Sequence, residues 1–219
     1  MRAKTRSLRR GHIPRVVVQT AKDPIPPKIS NLLRKQIHGY AYTFFSDADI
    51  LAFFQENPDR QYPHITEVFH SFTTGAHRAD LFRCYYLYKK GGVYIDSDLI
   101  LYDPLTGILG KNTFVSVWDV KYRGAAFNGF IAAVPNHPIM AAALKKLYTT
   151  SNATLVADYL AACKDFGRII SEFRGGGVKM MVEVNVVGDH YCETIDPDTG
   201  KLSLVHYYGG PIPEHRPEN

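Results

Sequence analysis

Cysteine and long apolar runs are scarce in this chain of 219 residues. Its three cysteines, Cys84, Cys163 and Cys192, form no CxxC pair and have no zinc-type spacing. We therefore expect reduced thiols rather than a disulfide framework or a zinc site. No run of about 18 apolar residues occurs, and no apolar segment follows the basic N-terminus, so neither a membrane span nor a secretory signal is predicted. We expect a soluble, cytoplasmic protein, or a soluble domain trimmed from a larger or membrane-anchored one.

Acidic residues are missing from residues 1–10, whereas the whole chain has 26 basic and 21 acidic side chains. The segment holds five basic residues: Arg2, Lys4, Arg6, Arg9 and Arg10. The rest of the chain has 21 basic and 21 acidic residues, so its formal net charge is zero. We expect residues 1–12 to be a flexible basic arm, with peripheral contact to an anionic membrane as the alternative. A nucleic-acid partner is not predicted.

The chain is long enough for one domain, which we expect over residues 13–210, followed by a C-terminal tail at 211–219. Strands alternate with helices in the first half, which predicts an α/β fold with a mainly parallel sheet. The predicted strands are 13–20, 40–45, 93–95, 113–118, 127–134 and 201–207. The predicted helices are 28–37, a helix capped by Ser46, 65–73, 75–90, 138–148 and 151–162, while the apolar stretch after 175–177 is ambiguous between strand and helix.

Two carboxylates, Asp96 and Asp98, follow the short apolar strand 93–95 and precede the apolar residues 99–101. Ligands gather at the carboxyl ends of strands in α/β sheets, and this pair lies at such an end. Charges inside an apolar run require a partner or a cation. Hard cations such as Mg²⁺ and Mn²⁺ prefer oxygen ligands and leave positions open for phosphate. The pair therefore predicts a divalent cation that neutralises a leaving diphosphate.

Asp80 and Arg83 are three residues apart on the predicted helix 75–90, which places them on one helix face. One interpretation is an exposed intrahelical ion pair, worth about 0 to 1 kcal/mol. The other is a buried pair that hydrogen-bonds sugar hydroxyls and a phosphate oxygen, because this helix is rich in apolar residues. The sequence leaves both interpretations open.

The segment 78–98 resembles the DXD sugar-binding region of glycosyltransferase family 32. It reads Arg-Ala-Asp-x-x-Arg at 78–83 and Gly-Gly-Val-Tyr-x-Asp-x-Asp at 91–98. That family includes the yeast initiating α-1,6-mannosyltransferase and is similar to clostridial toxin glucosyltransferase domains. The resemblance implies a GT-A fold, an Mn²⁺ or Mg²⁺ ion, and retaining transfer of a hexose from a UDP- or GDP-sugar to a glycan or other hydroxyl acceptor.

The resemblance also implies roles for the residues of this segment. Asp80 and Arg83 would contact the donor sugar, Asp96 would touch the ribose and the metal shell, and Asp98 would ligate the metal. These four residues are the predicted catalytic set.

Three other stretches also resemble that family. Residues 13–20 resemble its opening strand, although Val18 stands where a His is common, and they imply Gln19 and Thr20 near the nucleotide. Residues 127–138 resemble a stretch that would place Asn128 beside the donor. Near the C-terminus, His206 corresponds to a His that reaches the metal or diphosphate, although the family's Gly-Ser-Trp does not follow it here.

Two competing interpretations come from other functional classes. The first is a non-catalytic nucleotide-sugar-binding homologue. The second is a phosphohydrolase of the haloacid dehalogenase type, whose nucleophile motif also ends a strand as Asp-x-Asp. That motif continues to Thr or Val two residues later and lies near the N-terminus, whereas Ile100 takes this position here in mid-chain. No obvious nucleophile emerges, which fits a front-face retaining mechanism.

Overall fold

The computed structural model of the protein describes residues 11–21, 27–185 and 191–207. Most of the predicted arm (1–12) and the whole predicted tail (211–219) lie outside these ranges. The strands are β1 (Val16–Thr20), β2 (Ala41–Phe45), β3 (Gly92–Ile95), β4 (Leu99–Leu101), β5 (Phe114–Trp118), β6 (Ala126–Ala133), β7 (Val178–Asn185), β8 (Tyr191–Ile195) and β9 (Leu202–Tyr207). The helices are α1 (Pro27–Gln36), α2 (Asp47–Glu56), α3 (Ile65–Ser71), α4 (Gly75–Lys90), α5 (Leu105–Leu109), α6 (Pro138–Tyr148), α7 (Asn152–Ala157) and α8 (Ala161–Glu172).

The described strands form one sheet in the order β2-β1-β3-β6-β5-β7-β8-β9-β4. The α/β class is confirmed, but the prediction of a mainly parallel sheet is wrong. Only β1–β2, β1–β3 and β5–β7 are parallel pairs, and the other five pairs are antiparallel. Two of these antiparallel pairs follow from short connections: about five residues separate β7 from β8 and about six separate β8 from β9, which is too short for the crossover that a parallel pair needs.

The turn from α4 into β3 requires two glycines. Gly91 ends the helix with φ of 66°, and a Cβ there would lie 2.6 Å from the Pro135 ring. Gly92 has φ of 107°, and a Cβ there would lie 2.8 Å from the carbonyl oxygen of Val16. Both positions therefore exclude larger residues, because of backbone conformation and close packing together. The two glycines thus fix the position of α4 relative to β3.

Helix capping confirms several predicted boundaries. Ser46 and Asp49 form the predicted capping box at the start of α2, and α4 spans the predicted residues 75–90. The predicted helix 151–162 is wrong: α7 ends at Ala157 and α8 begins at Ala161. The side chain of Asp158 accepts a hydrogen bond from the Leu160 amide at 3.1 Å, and such local bonds compete with helix continuation. Four elements, β4, β8, α5 and α8, were not predicted.

Helix α4 is the most deeply packed helix around the site. Nine of its residues are buried, and its aromatic side chains interlock with those of α2, as the edge-to-face pair Phe53–Phe82 shows at 5.9 Å. Burying one such ring contributes roughly 1.5–3 kcal/mol. The helix is thus a rigid support for any polar group it carries. No helix within the described ranges combines the length and apolar character needed to cross a bilayer.

Candidate active site

The two motif acids lie in the short turn between β3 and β4. The Asp96 amide donates to the Gly129 carbonyl of β6 at 2.8 Å, and the Leu99 amide donates to the Asp96 carbonyl at 3.3 Å. The Tyr207 amide donates to the Asp98 carbonyl at 2.9 Å. Strands on both sides therefore hydrogen-bond to the backbone of this turn. These bonds fix the backbone positions from which the two acidic side chains extend.

Gly129 leaves room for the first of these carboxylates. A Cβ at this position would lie 2.1 Å from the Phe127 ring and 2.8 Å from Oδ2 of Asp96. The Asp96 carboxylate therefore packs against β6 at Gly129, where no side chain intervenes.

Arg83 of α4 connects two of the predicted acids. The side chain is 6 % exposed, its Nη2 lies 3.4 Å from Oδ1 of Asp96, and its Nε lies 3.5 Å from Oδ1 of Asp80. The guanidinium also covers the Tyr94 ring at 4.2 Å and donates to the carbonyl of Asn128. Burial opposes its charge, but the charges of Asp96 and the other neighbours outweigh burial and raise the pKa of Arg83. The pair is therefore buried rather than exposed, whereas its hydrogen bonds to a sugar and a phosphate stay a prediction.

Asp80 and Asn128 lie next to Arg83 and are hydrogen-bonded to each other. The Asn128 amide donates to Oδ1 of Asp80 at 3.2 Å. Burial raises the pKa of Asp80, while Arg83 and Asn128 partly offset that rise. The side-chain oxygen of Asn128 is buried without a hydrogen-bond partner within the described ranges. Both residues line a cavity of about 20 Å³, which is room for one water and far too small for a sugar.

A much larger pocket opens on the other side of Arg83. Its volume is about 600 Å³, within the range typical of small-molecule sites. The polar and charged side chains that line it are Thr20, Asp47, Thr73, Arg78, Arg83, Tyr94, Asp96 and Ser97.

Arg78 is fixed in the wall of this pocket. Its Nε donates to the Phe72 carbonyl at 2.7 Å, and its Nη1 lies 3.7 Å from Asp47. The pocket therefore presents two arginines.

The side chains of Gln19 and Thr20 lie in different surroundings although the two residues are adjacent in sequence. Thr20 lines the large pocket. Gln19 is 1 % exposed, and its amide donates to the Asp96 carbonyl at 3.2 Å while its oxygen accepts from the Tyr42 hydroxyl at 2.9 Å. Gln19 therefore supports the turn that carries Asp96 and does not line the pocket.

The side chain of Asp98 lies beside His206 of β9. Oδ2 of Asp98 lies 3.4 Å from Nε2 of His206, and Nδ1 of His206 lies 3.5 Å from Oε1 of Glu183. The ring stacks on Phe127 with centroids 4.5 Å apart. Burial lowers the pKa of His206, but the bonds to Asp98 and Glu183 raise it more, to about 9. The two carboxylates therefore favour positive charge between them.

This arrangement fits a divalent cation with few protein ligands. No three His, Cys, Asp or Glu side chains of the described ranges come together as a complete ligand set. Yet Oδ1 of Asp98 is buried and has no hydrogen-bond partner among the described residues, and the imidazole lies beside the same carboxylate. Mg²⁺-type ions are commonly held by one or two carboxylates plus substrate phosphates. Asp98 is chemically suited to that role, and His206 would join it only after losing its proton to the incoming cation, whereas Asp96 lies against Arg83.

Sequence analysis missed Glu183, a lone acid in the apolar strand β7. It is 4 % exposed, and its Oε2 accepts from the Val120 amide at 3.4 Å. The available signal was the same one that drew attention to Asp96, a charge within an apolar run. Carboxylates that hold the second nitrogen of a metal-binding imidazole are common in metal sites.

Comparison with known proteins finds a family similar to the region that carries this geometry. The model for the glycosyltransferase sugar-binding region containing the DXD motif matches residues 27–115, which include Asp80, Arg83, Asp96 and Asp98. Inositol phosphoceramide mannosyltransferase 1 of Schizosaccharomyces pombe is 34 % identical over 144 residues, covering 62 % of this chain and 43 % of that protein. Mannosyl phosphorylinositol ceramide synthase SUR1 of Saccharomyces cerevisiae is 30 % identical over 139 residues, covering 62 % and 35 %. The aligned segment thus spans less than half the length of these relatives.

A solved structure described as PaToxG glycosyltransferase superposes with a TM-score of 0.53 at 17 % identity, covering 73 % of this chain and 69 % of that one. This likeness concerns the fold and confirms the predicted GT-A architecture. Residues 27–115 are therefore similar to the glycosyltransferase sugar-binding region containing the DXD motif, and the chain has a GT-A fold.

Proposed function

We propose that the protein is a metal-dependent, retaining glycosyltransferase that moves a hexose from a UDP- or GDP-sugar to a hydroxyl acceptor on a glycan or another molecule. The observation that carries the proposal is Arg83, which is buried between Asp80 and Asp96 and also lines a pocket of about 600 Å³. Since the two yeast relatives are named for mannosyl transfer, mannose is the first sugar to test.

The residues have distinct roles in this proposal. Arg83 contacts the donor sugar, Asp80 holds Arg83 in position, and Thr20, with Arg78 in the wall, contacts the nucleotide diphosphate side of the pocket. Asp98 and His206 hold Mn²⁺ or Mg²⁺, with Asp96 close to the metal shell and the ribose. When bound, the ion supplies positive charge that neutralises the leaving diphosphate.

Retention of configuration is proposed through a front-face route. The bond between the anomeric carbon and the diphosphate oxygen breaks, and the acceptor oxygen bonds to the anomeric carbon on the same face. The acceptor proton passes to the departing diphosphate, so no protein base is required. Catalysis then rests on positioning and on fixed charges.

A donor-turnover assay tests this proposal. The protein is incubated with Mn²⁺ and GDP-mannose, UDP-glucose or UDP-galactose, and release of GDP or UDP is measured without and with sugar acceptors. Asp98→Asn is expected to abolish metal-dependent turnover, while Asp198→Asn, an exposed acid on the turn before β9, serves as the matched control. Normal turnover in Asp98→Asn would refute the assignment. A donor that raises the melting temperature without being turned over would favour a binding homologue.

The basic arm has a separate proposed role, as a peripheral contact for an anionic membrane surface. Five positive charges without an acid within residues 1–10 attract anionic headgroups at about 1 kcal/mol per basic residue near the surface. Co-sedimentation with phosphatidylserine vesicles should be lost on deletion of residues 1–10, whereas donor turnover should persist. Equal sedimentation of both forms would refute this role.

A further inference from the structure

A second pocket lies at the opposite end of β1 from the large pocket. Its volume is about 450 Å³, within the range typical of small-molecule sites. Arg15 immediately precedes β1 and lines this second pocket, whereas Thr20, the last residue of β1, lines the large one. At about 3.3 Å per residue, the strand separates these two residues by about 16 Å. The second site, called the Arg15 pocket below, therefore has no part in the proposed transfer reaction.

The chain around the Arg15 pocket carries positive charge without acidic residues. The stretches that supply its lining, residues 11–20, 34–45 and 104–113, contain no Asp or Glu. Asp103 directly precedes the third stretch but does not line the pocket. Concave surfaces that carry one sign of charge concentrate ions of the opposite sign, so an anion is the expected ligand. The basic residues of the three stretches are Arg15, Arg34, Lys35 and Lys111, together with His12 and His38.

Four side chains that can donate hydrogen bonds line the Arg15 pocket. Arg15 and His12 are exposed and offer ring or guanidinium N–H groups, while Tyr40 and Thr106 offer hydroxyls. Burial raises the pKa of Tyr40, and the charge of Arg15 opposes that rise, which agrees with a hydroxyl close to the guanidinium. A guanidinium matches the oxygens of a phosphate with two parallel hydrogen bonds. The donor set therefore favours phosphate over a smaller anion.

Backbone hydrogen bonds hold two walls of the Arg15 pocket in place. On one wall, the Ala41 amide donates to the Arg15 carbonyl at 2.9 Å. On the other wall, the backbone amide and the side-chain Nδ2 of Asn112 both donate to the Leu109 carbonyl at 3.1 Å. The site is thus formed without a ligand, which lowers the ordering cost of binding.

Apolar surface lies beside these donors. Ile13 and Leu109 line the pocket and are 8 % and 5 % exposed, and the half-buried Tyr40 packs against the core cluster that contains both. Such a mixed lining suits a ligand with an apolar or polyol body as well as a charged group. A bare ion would leave this surface unused, so the phosphate is expected to carry an organic group.

We propose that the Arg15 pocket binds a phosphomonoester carried on a small organic group, presented either by the headgroup of an anionic lipid or by a soluble phosphate ester. Arg15 and His12 face the phosphate, Tyr40 and Thr106 donate to its oxygens, and Ile13 and Leu109 contact the organic group. Residue 12 follows the basic segment 1–10 almost directly. The positive charge of that segment therefore attracts the same class of ligand towards the pocket.

The test measures binding of three probes to the full chain. Glycerol 3-phosphate is titrated by calorimetry. Co-sedimentation uses phosphatidylcholine vesicles that contain phosphatidic acid, which presents a phosphomonoester, or phosphatidylserine, which does not, at equal surface charge. The variants are Arg15→Gln and Tyr40→Phe. Arg60→Gln is the matched control, because it removes the same charge from an exposed residue that lines neither pocket.

Affinity for a phosphomonoester probe should fall about tenfold in Arg15→Gln, through loss of a charge-assisted hydrogen bond, and about threefold in Tyr40→Phe. Arg60→Gln should stay within about twofold of wild type. Binding of glycerol 3-phosphate without a preference for phosphatidic acid vesicles would identify a soluble ester as the ligand, whereas such a preference would identify the headgroup. Failure of both phosphomonoester probes to bind, or equal losses in Arg15→Gln and Arg60→Gln, would overturn the inference.

Two controls separate this site from the other proposed ones. Deletion of residues 1–10 removes the arm but leaves the pocket, so discrimination among the probes should persist, and its loss with the arm would overturn the inference. Donor turnover should be unchanged in Arg15→Gln and Tyr40→Phe, because neither residue lines the large pocket. A wild-type protein that binds the phosphomonoester but turns over no donor would refute the proposed function and support this site.

Discussion

His137 should make the stability of this protein fall as the solution becomes acidic. The residue is fully buried and caps α6: its Nδ1 accepts from the Ile139 amide at 3.2 Å. Its ring is stacked on Phe114 at 5.2 Å. Burial lowers the pKa of His137 from 6.5 to about 4. A proton on Nδ1 would also remove the acceptor that satisfies the helix terminus.

The sign and size of the effect follow from proton linkage. The unfolded chain binds a proton at this residue with a pKa of 6.5, and the folded protein does so only near 4. Stability from His137 is therefore complete above pH 6.5, is lost as pH falls, and reaches its minimum below pH 4. The total is about 3 kcal/mol at about 1.4 kcal/mol per pKa unit, of which about 2 kcal/mol is lost by pH 5.

Urea unfolding at pH 7.5 and pH 5.0, followed by fluorescence of the single tryptophan, Trp118, measures this loss. His137→Asn keeps a capping acceptor but no titrating ring, so its stability should decrease less between the two pH values, by about 2 kcal/mol. His64→Asn is the control, because His64 also precedes a helix but makes no side-chain cap. Identical pH dependence in wild type and His137→Asn would refute the reasoning.

Two further predictions concern the site itself. Arg83→Lys should weaken donor use strongly, because one ammonium cannot contact Asp80 and Asp96 as the guanidinium does. The kcat/KM for the donor should fall at least about tenfold. A far-ultraviolet circular dichroism spectrum unlike that of wild type would mean that the loss is structural. Glu183→Gln keeps an acceptor for His206 but removes the charge, so Mn²⁺ affinity measured by calorimetry should fall between about 10- and 100-fold. Unchanged affinity would show that Glu183 does not orient that imidazole.

Local signals in the sequence predicted a large part of the fold. The capping box of Ser46 and the Gly91–Gly92 pair predicted helix ends correctly, because caps and glycine turns depend on neighbouring residues only. The break at Asp158 escaped prediction because a single side-chain bond ended a helix whose apolar pattern continued. The antiparallel insertion of β6 between β3 and β5 depends on long-range pairing, which a strand pattern does not encode.

The sequence predicted which residues belong to the candidate site better than it predicted their contacts. Helical spacing placed Asp80 and Arg83 together, and the structure confirms their proximity. The i, i+2 spacing of Asp96 and Asp98 suggested one shared ion, whereas the structure turns them to different partners, Arg83 and His206. Those partners come from other parts of the chain, so the direction of each carboxylate is set by tertiary packing.

The absence of a side chain at Gly129 of β6 has a consequence for redesign of the large pocket. With 2.8 Å between a hypothetical Cβ and the Asp96 carboxylate, even alanine would tilt that acid away from its arginine. Attempts to change which ligand the large pocket binds should therefore leave Gly129 unchanged. Mutational libraries belong instead at pocket-lining positions outside this contact, such as Thr73 and Ala76.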